Sequence, residues 1–402
     1  MQNSESNQNT NFRFSDRDSI HNIWNRGDML QEAKITLSGY RQLNQLKELE
    51  KKGLSLLNLS DPYLVKTGIQ IVRLCLPQDS DLATSWVNDY APSLINHPHP
   101  RVRHSSLWNI RTAIWQDATL ASTGLELAKT KLEDQDPAVQ RVAIWTHGDA
   151  VVNDLSLFEN ALLSITSYLN ANDRESAALF AIEEFFGPLK KIYGDTEAYR
   201  AALIDILNNS GGYIGLKARC SLLLETPLEI TTQDILLTKD RLRQVTLGND
   251  IEPLIADEDY ETAIERLSYE AQQSPTFGVS MRNIWLIRDI LWLKSTSPRK
   301  IFNLATNIIL KHEDGDLIRT ASVLVGDCIL QDIDGLADDA IIFVNNFFET
   351  SDNDGSQIVV AQTLRPLTRG ADPTQQKLKE AILKIPNAEN ISVINTLISL
   401  AV

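Results

Sequence analysis

The chain has 402 residues, 43% of them hydrophobic and 23% charged, and carries a formal net charge of −15. That length accommodates two or three compact domains, or one elongated array that adds core unit by unit, and the composition is that of a folded chain. No apolar run approaches the roughly 18 residues needed to cross a bilayer, and an acidic surface repels phosphate backbones and anionic lipid over most of its area, which argues against general nucleic-acid or membrane binding.

In chain order, residues 1–19, MQNSESNQNTNFRFSDRDS, are polar and nearly free of aliphatic side chains, which predicts a disordered tail without the apolar stretch of a signal peptide. The three cysteines, Cys75, Cys220 and Cys328, are far apart, odd in number and set among aliphatic residues. That pattern suits reduced, buried thiols and a cytoplasmic location. The charge is +1 over residues 1–53, −2 over 54–150, −5 over 151–250 and −9 over 251–402, so acidity grows toward the C-terminus.

From Ser60 the chain repeats itself. SDPYLVKTGIQIV, HPRVRHSSLWNI from His99 and DPAVQRVAIWTH from Asp136 place prolines at Pro62, Pro100 and Pro137, 38 and 37 residues apart, and Asp173 extends the series by another 37. In each copy an Asp or His stands where a helix N-cap belongs, followed by a proline at the first helical position, where its missing N–H costs nothing. Apolar-periodic segments such as LATSWVNDYAPSLI and ASTGLELAKTKL lie between the copies. A unit of about 37 residues therefore holds two helices and no strand.

Further on, GGYIGLKARCSLLL from Gly211, SMRNIWLIRDIL with Arg282, GDLIRTASVLVGDCIL with Arg319, 37 residues beyond Arg282, and GSQIVVAQTLRPL from Gly355 resume the pattern. Residues 225–262 carry no copy. There the sequence predicts a helix from an N-cap at Thr232 to about Val245, then a loop with Gly248, Asn249 and Pro253. The expected organisation is a tail at 1–19, a first sub-solenoid at 20–224, an irregular connection at 225–262 and a second sub-solenoid at 263–402. Asp257, Glu258, Asp259 and Glu261 form an acidic cluster in the connection. It reads as the solvated first turn of a helix or as a partner-binding patch.

Pro100-Arg101-Val102-Arg103 and Asp136-Pro137-Ala138-Val139 resemble the Asp-Pro-x-Val-Arg opening of the second helix in HEAT repeats, with Gln140 in place of the second motif's arginine. The resemblance covers roughly residues 55–370 and implies an all-α fold: an α-solenoid of stacked helical hairpins, without a sheet, of the kind that usually serves as a scaffold or adaptor.

On a wheel advancing 100° per residue, Val102, Ser106, Leu107, Ile110, Ala113 and Ile114 share an aliphatic arc, while His104, Trp108, Arg111 and Trp115 fall away from it. Trp145, 37 residues after Trp108, repeats the arrangement beside Arg141. Stacking would set Trp108 and Trp145 side by side. Two readings stand for the row His104, Trp108, Arg111, Trp115, Arg141 and Trp145: indoles filling gaps between repeats, or an aromatic and basic anchor for a protein partner on the inner surface. Trp285 and Trp292 lie on a helix apolar almost all round, where core packing is expected.

No catalytic residue, metal site or cofactor is expected. His97, His99 and His104 have no carboxylate or thiol at ligand spacing, and the Asp-rich stretches at Asp332 and Asp352 lack the bidentate glutamate of a calcium loop. Neither a phosphate-cradling glycine loop nor a GxSxG elbow is present. One enzymatic alternative remains, since some HEAT-like solenoids are alkylpurine DNA glycosylases that use concave tryptophans and an aspartate. Trp108, Trp145 and Asp149 are similar to that set, although Gly148 is expected to break the helix and the chain lacks a basic track for DNA. The favoured partner is another protein. The acidic C-terminal half would suit a basic one, as in an adaptor, regulatory subunit or inhibitor.

Overall fold

The computed structural model describes residues 43–385 apart from 172–174, 210–212, 274–276, 294–295, 313–314, 352–353 and 383, together with 393, 396, 397 and 400. The tail at 1–19, the first part of the expected sub-solenoid at 20–42, and Asp173 and Asp352 of the sequence patterns lie outside these residues. Every regular element among the described residues is helical. The chain divides into two compact units between Tyr199 and Arg200.

In the first unit, helices alternate between an outer and an inner row. The pairs are α1 (Leu43–Leu56) with α2 (Pro62–Cys75), α3 and α4 (Ser80–Ser85, Ala91–Leu94) with α5 (Pro100–Gln116), and α6 (Ala121–Lys129) with α7 (Pro137–Asn153). The last pair is α8 (Phe158–Ala171) with α9 and α10 (Glu175–Ala181, Gly187–Tyr193). Inner helices α2, α5, α7 and α9 pack in succession. The repeated sequence motif starts α2, α5 and α7: Asp61 accepts from the Tyr63 N–H at 2.8 Å, the His99 Nδ1 from Arg101 at 3.2 Å, and Asp136 from Ala138 at 2.8 Å. Each cap satisfies an N–H that the first helical turn leaves orphaned, and the proline beside it has none to satisfy. A one-turn π-helical segment joins α3 to α4 at Trp86–Tyr90, and another joins α9 to α10 at Ile182–Phe186.

Burial in this unit is heaviest on the inner row. Every residue of α5 from Ser105 to Gln116 and of α7 from Arg141 to Val152 is buried, polar side chains included. Neither helix is amphipathic in the usual sense, because neither presents a face to solvent.

The second unit begins within α11 (Glu197–Asn208) and continues with α12 (Ile214–Leu224). Then come α13 (Thr232–Thr246), α14 (Glu252–Ala256), α15 (Tyr260–Gln273) with α16 (Phe277–Trp292), and α17 (Pro298–Lys311) with α18 (Gly315–Gln331). α19 (Ile333–Thr350), α20 (Asp354–Gln362) and α21 (Asp372–Ile382) follow. Helices α12, α16, α18 and α20 form the inner row. Within the connection at 225–262 the expected helix is present as α13, and part of the expected loop, including Pro253, winds into the short α14; both lie between α12 and the pair α15–α16 in the chain. The N-cap of α13 is Thr231, one residue ahead of the expected Thr232, because Thr231 and Asp234 exchange side-chain and backbone hydrogen bonds in a capping box.

Consecutive outer helices of this unit are tied by surface ion pairs. Lys300 on α17 reaches Glu261 and Glu265 on α15, Arg299 reaches Asp339 on α19, and Lys377 on α21 reaches Asp338.

Candidate functional site

Trp108 on α5 and Trp145 on α7 stand edge to face, with ring centroids 5.2 Å apart, as stacking of the two copies requires. Both are 3% exposed and Trp115 is 4% exposed. Arg111, expected to point away from the core, is enclosed by them: its guanidinium carbon lies 3.6 Å from the Trp145 centroid and 4.4 Å from that of Trp108. Its Nε donates to Asp149 at 2.7 Å. Burial drives the Arg111 pKa down, and Asp149 opposes that shift. Of the six residues in the row, only His104 is half-buried, with its ring 6.5 Å from Trp108.

Arg141, also buried, pairs with Glu184, which is fully buried. Glu184 lies in the π-helical turn Ile182–Phe186, whose wider winding brings its carboxylate onto the helix of Arg141 and its carbonyl onto Gly148. A Cβ at Gly148 would lie 2.5 Å from the Glu184 carbonyl oxygen. Gly148 therefore does not break α7, as its residue type led one to expect. It lets a neighbouring backbone approach within an unbroken helix.

The second unit holds an equivalent group. Asp327 on α18 is fully buried between Arg288 on α16 and Arg219 on α12, and accepts from the Trp292 indole N–H at 2.9 Å. Burial pushes its carboxyl up, but the two guanidiniums and the indole outweigh that and hold it below the usual carboxylate range. Gly215 on α12 is likewise a close approach, since a Cβ there would lie 2.2 Å from an Arg288 nitrogen. Trp285 is half-buried with Arg288 over its ring at 5.0 Å, and Trp292 is buried.

These acidic partners are what reading single helices misses, since each stands 38 to 43 residues from its arginine, on another helix. A signal was nonetheless present. WNIRTAIW at 108–115 returns as WLIRDILW at 285–292, and RVAIWTHGD at 141–149 as RTASVLVGD at 319–327, in each case with the paired Arg and Asp retained. The near-equal offsets of 177 and 178 residues show the same arrangement recurring in the two units, each with its own Trp-x-x-Arg helix clasping an aspartate of the next inner helix.

The acidic cluster is exposed, and parts of it serve structure. Glu258 adopts a left-handed backbone (φ +56°) in the turn that closes α14, where the Asp259 N–H reaches the Leu254 carbonyl, and its carboxylate meets Lys239 at 2.6 Å. Asp259 accepts from the Thr262 N–H at 3.3 Å, and Glu261 holds both Lys300 and the Thr296 hydroxyl. Asp257 is exposed at the end of α14.

Beside this cluster, α13 inverts the usual pattern of a surface helix. It buries Asp234, Thr238, Leu242 and Thr246, one residue per turn. It exposes Ile235, Leu236, Leu237 and Val245, and Leu228 and Leu247 flank it in the open. Polar contacts fasten it. Lys217 on α12 pairs with Asp234 at 2.5 Å, Arg241 pairs with Asp289 on α16 and lies 4.0 Å from the Tyr213 ring, and Arg282 donates to the Val245 carbonyl.

Among the described residues no group of three or more His, Cys, Asp or Glu side chains is gathered to hold a metal ion, and no helix is long and apolar enough to cross a membrane. No family model matches the sequence, and no curated protein matches it. Among solved structures, an engineered protein aligns over 89% of this chain and 98% of its own length at 14% identity, with a TM-score of 0.29. Kap121p aligns over 91% of this chain at 12% identity with a TM-score of 0.37, and Kap121p bound to Nup53p over 92% at 12% and 0.32. The chain spans 42% of the length of Kap121p. The class that this chain's helices define is an all-α protein of stacked helical pairs, consistent with a helical-repeat solenoid.

Proposed function

We propose that this chain is a non-catalytic, protein-binding scaffold of HEAT type, working in the cytoplasm as an adaptor, regulatory subunit or inhibitor. The observation that carries the reading is the concentration of exposed apolar side chains on and around α13, six of them between Leu228 and Leu247. Exposed apolar clusters of this kind mark contact surfaces, whereas singly scattered ones are ordinary.

The rest of the molecule supports a structural rather than a chemical use of its polar groups. Arg111, Arg141, Arg219 and Arg288 are engaged with buried acids on neighbouring helices. A glycosylase would need Trp108, Trp145 and Asp149 open to a flipped base. Here both indoles are buried and the carboxylate is held by Arg111. The same burial moves the proposed contact from the inner row to the exposed inserted helix. Rigid display by stacked helices limits the side-chain entropy lost on binding.

Affinity purification of the full chain from its native cells, followed by weighing of the complex, tests the reading. One partner at fixed stoichiometry is the expected result. Recovery of the chain alone, together with release of alkylated bases from DNA, would overturn it.

A further inference from the structure

We infer that the exposed side of α13 is a docking surface for a basic amphipathic helix of a protein partner. The inference rests on the scaffold reading and names the chemistry that the scaffold recognises.

Three observations lead there. First, most apolar side chains of α13 are not used by the fold. The helix is held through Asp234, Arg241, the Val245 carbonyl and the buried Leu242, while Ile235, Leu236, Leu237 and Val245 remain exposed. Second, the exposed apolar groups fall at both ends of the helix, Leu228 and Ile235 to Leu237 near its start and Val245 and Leu247 at its end. Some ten residues separate the two groups, about 15 Å along the axis, which is the reach of three turns of a partner helix.

Third, the surroundings are acidic. Between Glu225 and Glu261 there are ten carboxylates and three basic side chains. The three bases are already engaged, Lys239 with Glu258, Arg241 with Asp289 and Arg243 beside Asp240. Glu225, Glu229, Asp240, Asp250, Asp257 and Asp259 are exposed, Asp240 beside Arg243 and Asp250 paired with Arg266, so that carboxylates still outnumber bases in this stretch. Apolar groups at the two ends of the helix, in a stretch rich in carboxylates, complement a helix with leucines on one face and lysines or arginines beside them. Opposite charge at the rim steers encounter and rejects acidic helices of the same apolar pattern.

The test uses the full chain and two synthetic 18-residue peptides with identical leucine spacing at i, i+3, i+4 and i+7 (about two turns per anchor set), one with lysine and one with glutamate on the polar face. Titration by fluorescence anisotropy should show the lysine peptide binding and the glutamate peptide not. The double variant Leu236→Ser with Leu237→Ser should weaken binding by at least about tenfold, as should Glu229→Lys with Asp240→Lys. Leu163→Ser, at a still more exposed apolar side chain in the first unit, should leave it unchanged. Circular dichroism confirms that each variant is folded. Equal binding of the two peptides, or loss of binding equally in the Leu163 variant, would overturn the inference. So would a concentration-dependent dimer that the Leu236/Leu237 variant abolishes, since a second copy would then cover the face. If the native partner is still captured at full stoichiometry by the Leu236/Leu237 variant, the scaffold reading stands and the assignment to α13 falls.

Discussion

Arg111 and Asp149 are joined at 2.7 Å across two consecutive inner helices, with the arginine enclosed between Trp108 and Trp145. Removing one member of a buried pair leaves the other charged and unsolvated. Asp149→Ala should therefore lower stability by about 3–5 kcal/mol, read as a fall in the urea midpoint. Replacing both members, Arg111→Met with Asp149→Leu, should restore most of the loss, because no charge is then stranded. A single variant as stable as the parent would show that the pair carries no weight.

Gly148 yields a prediction whose sign is diagnostic. In an ordinary helix interior Gly→Ala stabilises by about 1 kcal/mol. Here the new Cβ would meet the Glu184 carbonyl oxygen at 2.5 Å, a backbone atom that cannot swing aside. Gly148→Ala should destabilise by about 1–3 kcal/mol, and a gain in the urea midpoint would contradict the close approach.

His147 is fully buried, with its Nδ1 donating to the Ala143 carbonyl at 2.8 Å, and burial above all lowers its pKa to about 4. Its folded-state pKa thus lies below its unfolded value near 6.5. The unfolded chain binds the extra proton first, so the stability held above pH 6.5 is lost as pH falls toward 4. Relative to His147→Gln, the wild type should lose about 2 kcal/mol between pH 7.5 and pH 5. Urea titrations of both proteins at the two pH values measure the difference, and parallel behaviour would exclude a buried neutral histidine.

All three cysteines are buried and none is in a disulfide. Burial pushes the Cys220 thiol up to about 12 and Cys328 well above its ordinary value. Because the thiolate is the reactive form, the native protein should react with a disulfide reagent only at the rate of its unfolding, and all three thiols should react at once in denaturant. Rapid labelling of one thiol at native pH would place it at the surface.

Much of the fold was legible before any coordinates. Prolines recurring beside a capping Asp61, His99 and Asp136 start helices by local stereochemistry alone, and the structure places a helix at each. The spacing of Trp108 and Trp145 likewise foretold their contact, because equal positions in stacked units become neighbours.

What the wheel could not supply was the direction of solvent. It ranks residues of one helix by side, and leaves open whether the side bearing His104, Arg111 and the tryptophans meets the next repeat or a partner. On α5 and α7 both sides are buried, so Arg111 and Arg141 point at acids rather than at water. On α13 the usual surface pattern reverses, and leucines face solvent while Asp234 is buried.

The sequence by itself determined the helices, their starts and their pairing, because caps, prolines and apolar periods act within a few residues. Only the tertiary structure decided which polar groups are consumed in the core and which apolar groups are left outside it. Those outcomes depend on partners some 40 residues away and on the winding of single turns such as Ile182–Phe186, which no local pattern encodes.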